Sequence, residues 1–386
     1  MTAPRLVIFV GPHKSASSTV QEFFVQYATG RPKYRKLQAF QGWRWPIVQQ
    51  SRRPPRKQWA QLVYPQSDLR PELQKAMQRA FTKVSKVVVG SEEFDRFGDT
   101  PWSHRDGIGA IQQLMDWAPN DTVVDIVVNY RTPRQAQWIS IWKQLMSLEE
   151  DLHHRPSMTY REWICQDTNT TGTKGYNEKV WEYLNCVANP LGLTETLLRS
   201  FLSNIHVTMI DMGGVTRRNL DVAHVSACHV LQLPCKEDWV RGVNRTLVVN
   251  SKSRPLEGVS TQQIEELEWL LQMRDCTYQS ILERYQTQRR LSIVYPEDLT
   301  WKHCKGKHSL NFQNTTLLLY LMQSQFGCQP SFMKGLNLTQ IKQEHAVSSN
   351  SVVHVGHDWI WVQVLQWGVV SLLFAGIFQF RRRRKR

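Results

Sequence analysis

The sequence predicts an α/β fold with a central parallel sheet, on three observations. Apolar runs rich in β-branched residues recur at positions 6–10 (LVIFV), 86–89 (KVVV), 122–130 (TVVDIVVNY) and 205–212 (IHVTMIDM), the pattern of strands buried on both faces. Segments of helical apolar spacing alternate with them. Each of the first three runs gives way at its end to a short polar stretch, and the carboxyl ends of parallel strands are where such sheets place their chemistry.

The first strand, 6–10, is broken by Gly11 and Pro12 and followed by His13, Lys14, Ser15, Ser17, Ser18 and Thr19. Val20, Phe23 and Phe24 then return at helical spacing, so 17–19 fall in a helix's first turn. A strand feeding a helix N-terminus through a small polar loop is an anion cradle: free backbone N–H groups and the positive end of the helix dipole face the ligand. Lys14 adds a point charge and the hydroxyls add donors. Residues 30–56 read as a long basic loop, in which Arg52, Arg53 and Arg56, with the following Lys57, are candidates to meet an anionic substrate. Residues 71–85 form a helix through Leu73, Met77, Ala80 and Phe81, and the strand 86–89 ends at Gly90.

Ser91-Glu92-Glu93-Phe94-Asp95 follows that strand. Two adjacent Glu there are candidate general bases, because burial beside an apolar strand raises a carboxyl pKa towards neutrality; His104 is a weaker alternative. A helix at 108–117 and a turn at 119–121 lead into strand 122–130, which runs straight into Arg131-Thr132-Pro133-Arg134, with Ser140 nine residues after Arg131. Arg presents a planar fork for phosphate oxygens, and a hydroxyl further along the next helix completes a second anion grip. Further on come helices at 145–155, 160–165 and 177–187, the strand 205–212 and a helix at 222–231. The basic loop 250–255 (NSKSRP) carries Lys252 and Arg254, and a single amphipathic helix spans 260–285.

The formal charge of +15, six of it in the terminal RRRRKR, suits anionic partners. No zinc-finger spacing, RNA-recognition signature or basic heptad helix accompanies it, which excludes nucleic acid as the expected partner. Seven Cys without a C-x-x-C pair disfavour zinc and leave disulfides open, with Cys304 and Cys328 as candidate partners and at least one thiol over. Residues 359–380 carry no charge and are long enough to cross ~30 Å of hydrocarbon. Trp359, Trp361 and Trp367 near one end and the basic tail at the other mark this as a membrane-spanning helix. The expected organisation is therefore a main domain at 1–346, a stalk at 347–358, the membrane helix at 359–380 and a cytosolic tail at 381–386. Sequons at Asn120, Asn169, Asn244, Asn314 and Asn337 agree with a lumenal body. No secretory signal precedes Leu6, so the expectation is either that the true N-terminus lies outside this sequence or that the protein is tail-anchored with a cytosolic body.

Two of these stretches resemble sulfotransferases of the glycan type. The loop 13–19 (HKSASST) is similar to their 5′-phosphosulfate loop in its Lys and hydroxyls, with Ala16 where the family usually has Gly. Arg131-Thr132-Pro133 and Ser140 resemble the R-x-P and following Ser that hold the cofactor's 3′-phosphate, at one residue more than the commonest spacing. Gly175, Tyr176 and Trp181 match a family helix loosely, and the 250–255 loop matches a late basic loop. The resemblance covers roughly residues 5–285 and implies a P-loop-like three-layer fold in a secretory-pathway membrane, such as the Golgi. It implies transfer of a sulfuryl group from 3′-phosphoadenosine 5′-phosphosulfate to a hydroxyl or amine, with a glycan as acceptor and no metal. Gly11, Lys14, Ser15, Ser17, Ser18, Thr19, Arg131, Ser140, Lys252 and Arg254 would hold the cofactor, Lys14 would stabilise the leaving phosphate, and Glu92 or Glu93 would deprotonate the acceptor. Two other readings stand: a P-loop nucleotide or sugar kinase, which lacks here the second Gly before its Lys, and an inactive glycan-binding membrane protein.

Overall fold

In the computed structural model, the described residues are 3–11, 17–28, 42–49, 51–97, 106–151, 159–165, 188–201, 205–233, 259–299, 301, 304 and 315–328. The strands are β1 (Arg5–Val10), β2 (Trp43–Arg44), β3 (Lys86–Ser91), β4 (Val123–Tyr130), β5 (Ile205–Asp211) and β6 (Leu291–Val294). They form one six-stranded sheet in the order β2-β3-β1-β4-β5-β6, with every pairing parallel. Around it lie α1 (Ser17–Ala28), α2 (Pro55–Gln58), α3 (Arg70–Phe81), α4 (Gly107–Asp116), α5 (Arg134–Asp151) and α6 (Tyr160–Cys165). The later helices are α7 (Pro190–Ser200), α8 (Met212–Arg217), α9 (Val222–Val225), α10 (Thr261–Cys276), α11 (Gln279–Thr287) and α12 (Thr315–Gln325). The chain divides into two compact units, Met1–Leu338 and Thr339–Arg386; the second lies wholly outside the described residues.

The expected strands form because their side chains are buried on both faces: Leu6, Val7, Ile8, Val87, Val88, Val89, Ile126 and Val128 are all fully inaccessible. Helices supply both covers. Phe9 stacks its ring 5.0 Å from Phe24 of α1 on one face. Tyr130, of opposite parity to the Val127 that pairs with Phe9, reaches Asp275 of α10 on the other. The chain thus leaves β1 towards one face and β4 towards the other, so the carboxyl ends of these neighbours make a switch point, the place where open α/β sheets form their binding crevice.

Several boundaries differ from the sequence reading. Gly90 does not end β3: Gly90 and Ser91 stay in register with Phe9 and Val10. The basic loop 30–56 contains the edge strand β2, too short to show periodicity. The helix expected at 260–285 is two helices, because the Thr277 hydroxyl donates to the Arg274 carbonyl (2.7 Å) and Tyr278 N–H bonds the Asp275 carbonyl (3.1 Å), closing α10. The region 222–231 winds as α9 and then one π-turn, Ser226–Val230. Strand β6 and helices α7, α8 and α12 were not legible in advance.

The cysteine pairing also differs. Cys304 does not pair with Cys328: Cys276 pairs with Cys304 and Cys165 with Cys328. Cys228 is disulfide-bonded as well, to a residue outside those described. The Cys165–Cys328 bridge ties α6 to the end of α12 beside a cluster of Trp138, Trp142, Tyr160, Trp163 and Phe326. With sequence separations of 163 and 28 residues, loop closure gives the two bridges about 5 and about 3–4 kcal/mol of stabilisation in the chain-entropy model.

Near the amino ends of the strands a row of polar side chains crosses the sheet. Arg5 pairs with Asp125, His206 Nδ1 lies 3.4 Å from the Asp125 carboxylate, and His206 Nε2 is 3.0 Å from Ser292 Oγ. Burial alone would raise the Asp125 pKa, but the hydrogen bonds from His206 and Arg5 outweigh it and hold the carboxyl below its ordinary value. A depressed carboxylate contributes stability that is present above its unfolded pKa, about 3.9, and is lost as pH falls through the folded value. Asp125→Asn is therefore predicted to flatten the acid limb of the stability curve. Urea midpoints from pH 2 to 7 test this: an acid limb as steep as the parent's removes Asp125 from the acid response.

Candidate functional site

Three strand ends meet around β1. Gly11, at the end of β1, donates its N–H to the Ser91 carbonyl at the end of β3 (3.3 Å). The two strands are drawn so close that a Cβ on Gly11 would lie 2.8 Å from the Glu92 carbonyl oxygen and 2.9 Å from Asp95 Oδ2. Only glycine fits there. After Gly11 the chain enters α1 at Ser17, as expected. Lys14 and Ser15 lie outside the described residues, as do the side chains of Ser17, Ser18 and Thr19.

Beyond β3, Glu92–Asp95 makes one 3₁₀ turn, fixed by the Ser91 hydroxyl accepting from the Glu93 N–H (3.1 Å). This turn holds Glu92 and Glu93 half-buried beside the exit of β1 and sets the fully buried Asp95 against Gly11. Glu93 lies 3.6 Å from the buried guanidinium of Arg96, which is also 4.0 Å from Asp95. Asp95 and Arg96 escaped the sequence reading as site residues; the signal was the pair of opposite charges closing a turn at a strand's carboxyl end.

At the end of β4, Arg131 is half-buried, and burial lowers the pKa of its guanidinium. Loss of hydration strengthens the pull of such a cation on any anion brought against it. Arg134, three residues on, is committed elsewhere. Fully buried, it pairs with Asp275 (2.9 Å), donates to Gln137 Oε1 (2.6 Å) and to the Ala188 carbonyl (2.5 Å). Tyr130 and Arg274 join the same group: Tyr130 donates to Asp275 (2.9 Å), and Arg274 lies 3.7 Å from it. Burial raises the Tyr130 pKa, reinforced by the Asp275 charge, so the phenol stays a donor. This network anchors the β4–α5 corner through Arg134, while Arg131 stands at the carboxyl end of β4.

Ser140 lies about two turns into α5, half-buried, and its hydroxyl donates to the Ala136 carbonyl of its own helix (2.7 Å). As an acceptor it retains lone pairs; as a phosphate donor it would first have to break that bond. The N-terminus of α5 is occupied too: the Gln135 N–H bonds Glu268 of α10 (2.7 Å), so this end of the helix presents a carboxylate where a bare one would attract an anion. Thr132, next to Arg131, donates to Asp298, which also pairs with Arg217. Asp211 fixes this neighbourhood by accepting backbone N–H groups from Asp298 (2.6 Å), Leu299 (3.0 Å) and Gly213 (3.0 Å).

The described strand ends thus bring together Gly11, Glu92, Glu93 and Arg131 in the switch-point region. Lys252, Arg254, His104, Gly175, Tyr176 and Trp181 lie outside the described residues. Among the described residues, no group of three His, Cys, Asp or Glu could hold a metal ion, and no helix is long and apolar enough to cross a membrane; residues 359–380 are not among them. No family model, curated protein or solved structure matches the chain.

Proposed function

We propose that the protein transfers a sulfuryl group from 3′-phosphoadenosine 5′-phosphosulfate to a hydroxyl or amine of a glycan, on a P-loop-like three-layer domain held to a secretory-pathway membrane by residues 359–380. The observation that supports this most is the strand order β3-β1-β4. It makes the carboxyl ends of β1, β3 and β4 neighbours, and these are the ends that the polar loop, the glutamates and Arg131 follow in sequence. Two separated cationic grips suit a 3′,5′-bisphosphate better than a linear triphosphate. The order also differs from the doubly wound dinucleotide arrangement, in which β2 lies beside β1.

In this reading the chemistry is positioning and charge neutralisation, as in phosphoryl transfer. The N–H groups at the start of α1 and Lys14 stabilise charge gathering on the departing 5′-phosphate. Arg131 and Ser140 hold the 3′-phosphate and so fix the donor's axis. Glu92 takes the acceptor proton as its oxygen or nitrogen bonds to sulfur, while the bond from sulfur to the phosphate oxygen breaks. Lys252 and Arg254 add contacts to the nucleotide. Incubation with ³⁵S-labelled donor and a panel of glycans tests the reaction. Glu92→Gln should abolish most label transfer with nucleotide affinity kept, since a general base contributes about 10²–10⁴-fold. Transfer at the parental rate would move the base elsewhere.

A further inference from the structure

We infer that the domain matures in an oxidising, glycosylating compartment and carries an N-linked glycan on Asn120. This rests on the cysteine pairing and on one turn, and is independent of the reaction proposed above. All five described cysteines, Cys165, Cys228, Cys276, Cys304 and Cys328, are in disulfides. The two bridges with both ends described join segments far apart in the chain, at Cα separations of 5.3 and 5.4 Å, and Cys276 and Cys304 are buried. Redox-active pairs are exposed and close in sequence; here Cys276–Cys304 is buried and Cys165–Cys328 joins segments 163 residues apart, which makes both structural. Structural disulfides persist where glutathione and thioredoxin do not reduce them, outside the cytosol.

Asn120-Asp121-Thr122 is the sequon that the described structure displays. Asn120 and Asp121 are exposed in the turn between α4 and β4, which Thr122 closes by donating its N–H to the Pro119 carbonyl (3.0 Å). The turn sits at the amino end of β4, whose eight residues separate it from Arg131 by roughly 26 Å at ~3.3 Å per residue. A glycan there leaves the carboxyl ends of the strands uncovered.

The full chain, expressed in a glycosylating eukaryotic host and purified without reductant, supplies the test. Enzymatic deglycosylation in ¹⁸O-water should convert Asn120 to ¹⁸O-labelled Asp, and non-reducing digestion should yield the linked peptides Cys165–Cys328 and Cys276–Cys304. Asn120→Gln should remove one step of glycan mobility on a gel and leave the linked peptides in place. An unlabelled Asn120 overturns the proposal, whether or not the disulfides form. So do cysteines that alkylate freely in cells quenched before lysis.

Discussion

Asp275→Ala is expected to destabilise the fold by about 3–5 kcal/mol, the cost of stripping one partner from a buried ion pair. Asp275 is wholly inaccessible and faces Arg134, Arg274 and the Tyr130 hydroxyl. Without the carboxylate, two interior guanidinium groups keep their desolvation cost and lose their counter-charge. A companion variant, Arg134→Met with Asp275→Leu, should recover part of the loss, since apolar replacements of similar volume remove charge and counter-charge together. Urea unfolding at pH 7 reads both. A loss below about 1 kcal/mol for Asp275→Ala would mean that water reaches this corner, and the rigid positioning of Arg131 would lose its basis.

The second large effect is on turnover. Lys14→Ala is predicted to slow sulfuryl transfer by about 10²–10³-fold, the range for removing one pre-positioned electrostatic donor at a site of developing charge. Nucleotide affinity should change far less, because in the proposed function backbone N–H groups and Arg131 would hold the ground state while the lysine would act on charge that grows as the bond breaks. Single-turnover rates alongside direct nucleotide binding separate the two. Equal turnover in variant and parent removes Lys14 from the mechanism. Ala16, inside the loop that carries Lys14, is the first position to examine if the parent itself proves inactive.

The four longer strands of the sheet were legible because they carry runs of apolar, β-branched residues. Leu6 to Val10 and Val123 to Tyr130 announce themselves by composition, whereas β2 has two residues and β6 is a half-exposed edge strand with Ser292 on it. The end of α10 was hidden for a different reason. Arg274, Asp275 and Thr277 look like an exposed polar stretch within a helix, yet a buried charge network takes the first two inward and the third closes the helix. Cysteine pairing depends on tertiary proximity: Cys304 and Cys328 are neighbours in sequence order but sit in different parts of the fold. At the site, the polar residues at the strand ends were visible, but their division of labour was not. Arg131 and Arg134 read alike in sequence, and only packing separates the half-buried Arg131 from the fully buried anchor Arg134.

If two separated cationic grips select a 3′,5′-bisphosphate, calorimetric titration with adenosine 3′,5′-bisphosphate and with ATP, on the parent and on Arg131→Ala, will show it. The parent should bind the bisphosphate more tightly than ATP. Arg131→Ala should lose about 10–100-fold of that affinity, the worth of a charged hydrogen-bonding group at phosphate, with little change for ATP. ATP binding as tightly as the bisphosphate, or bisphosphate affinity untouched by Arg131→Ala, would contradict such selection.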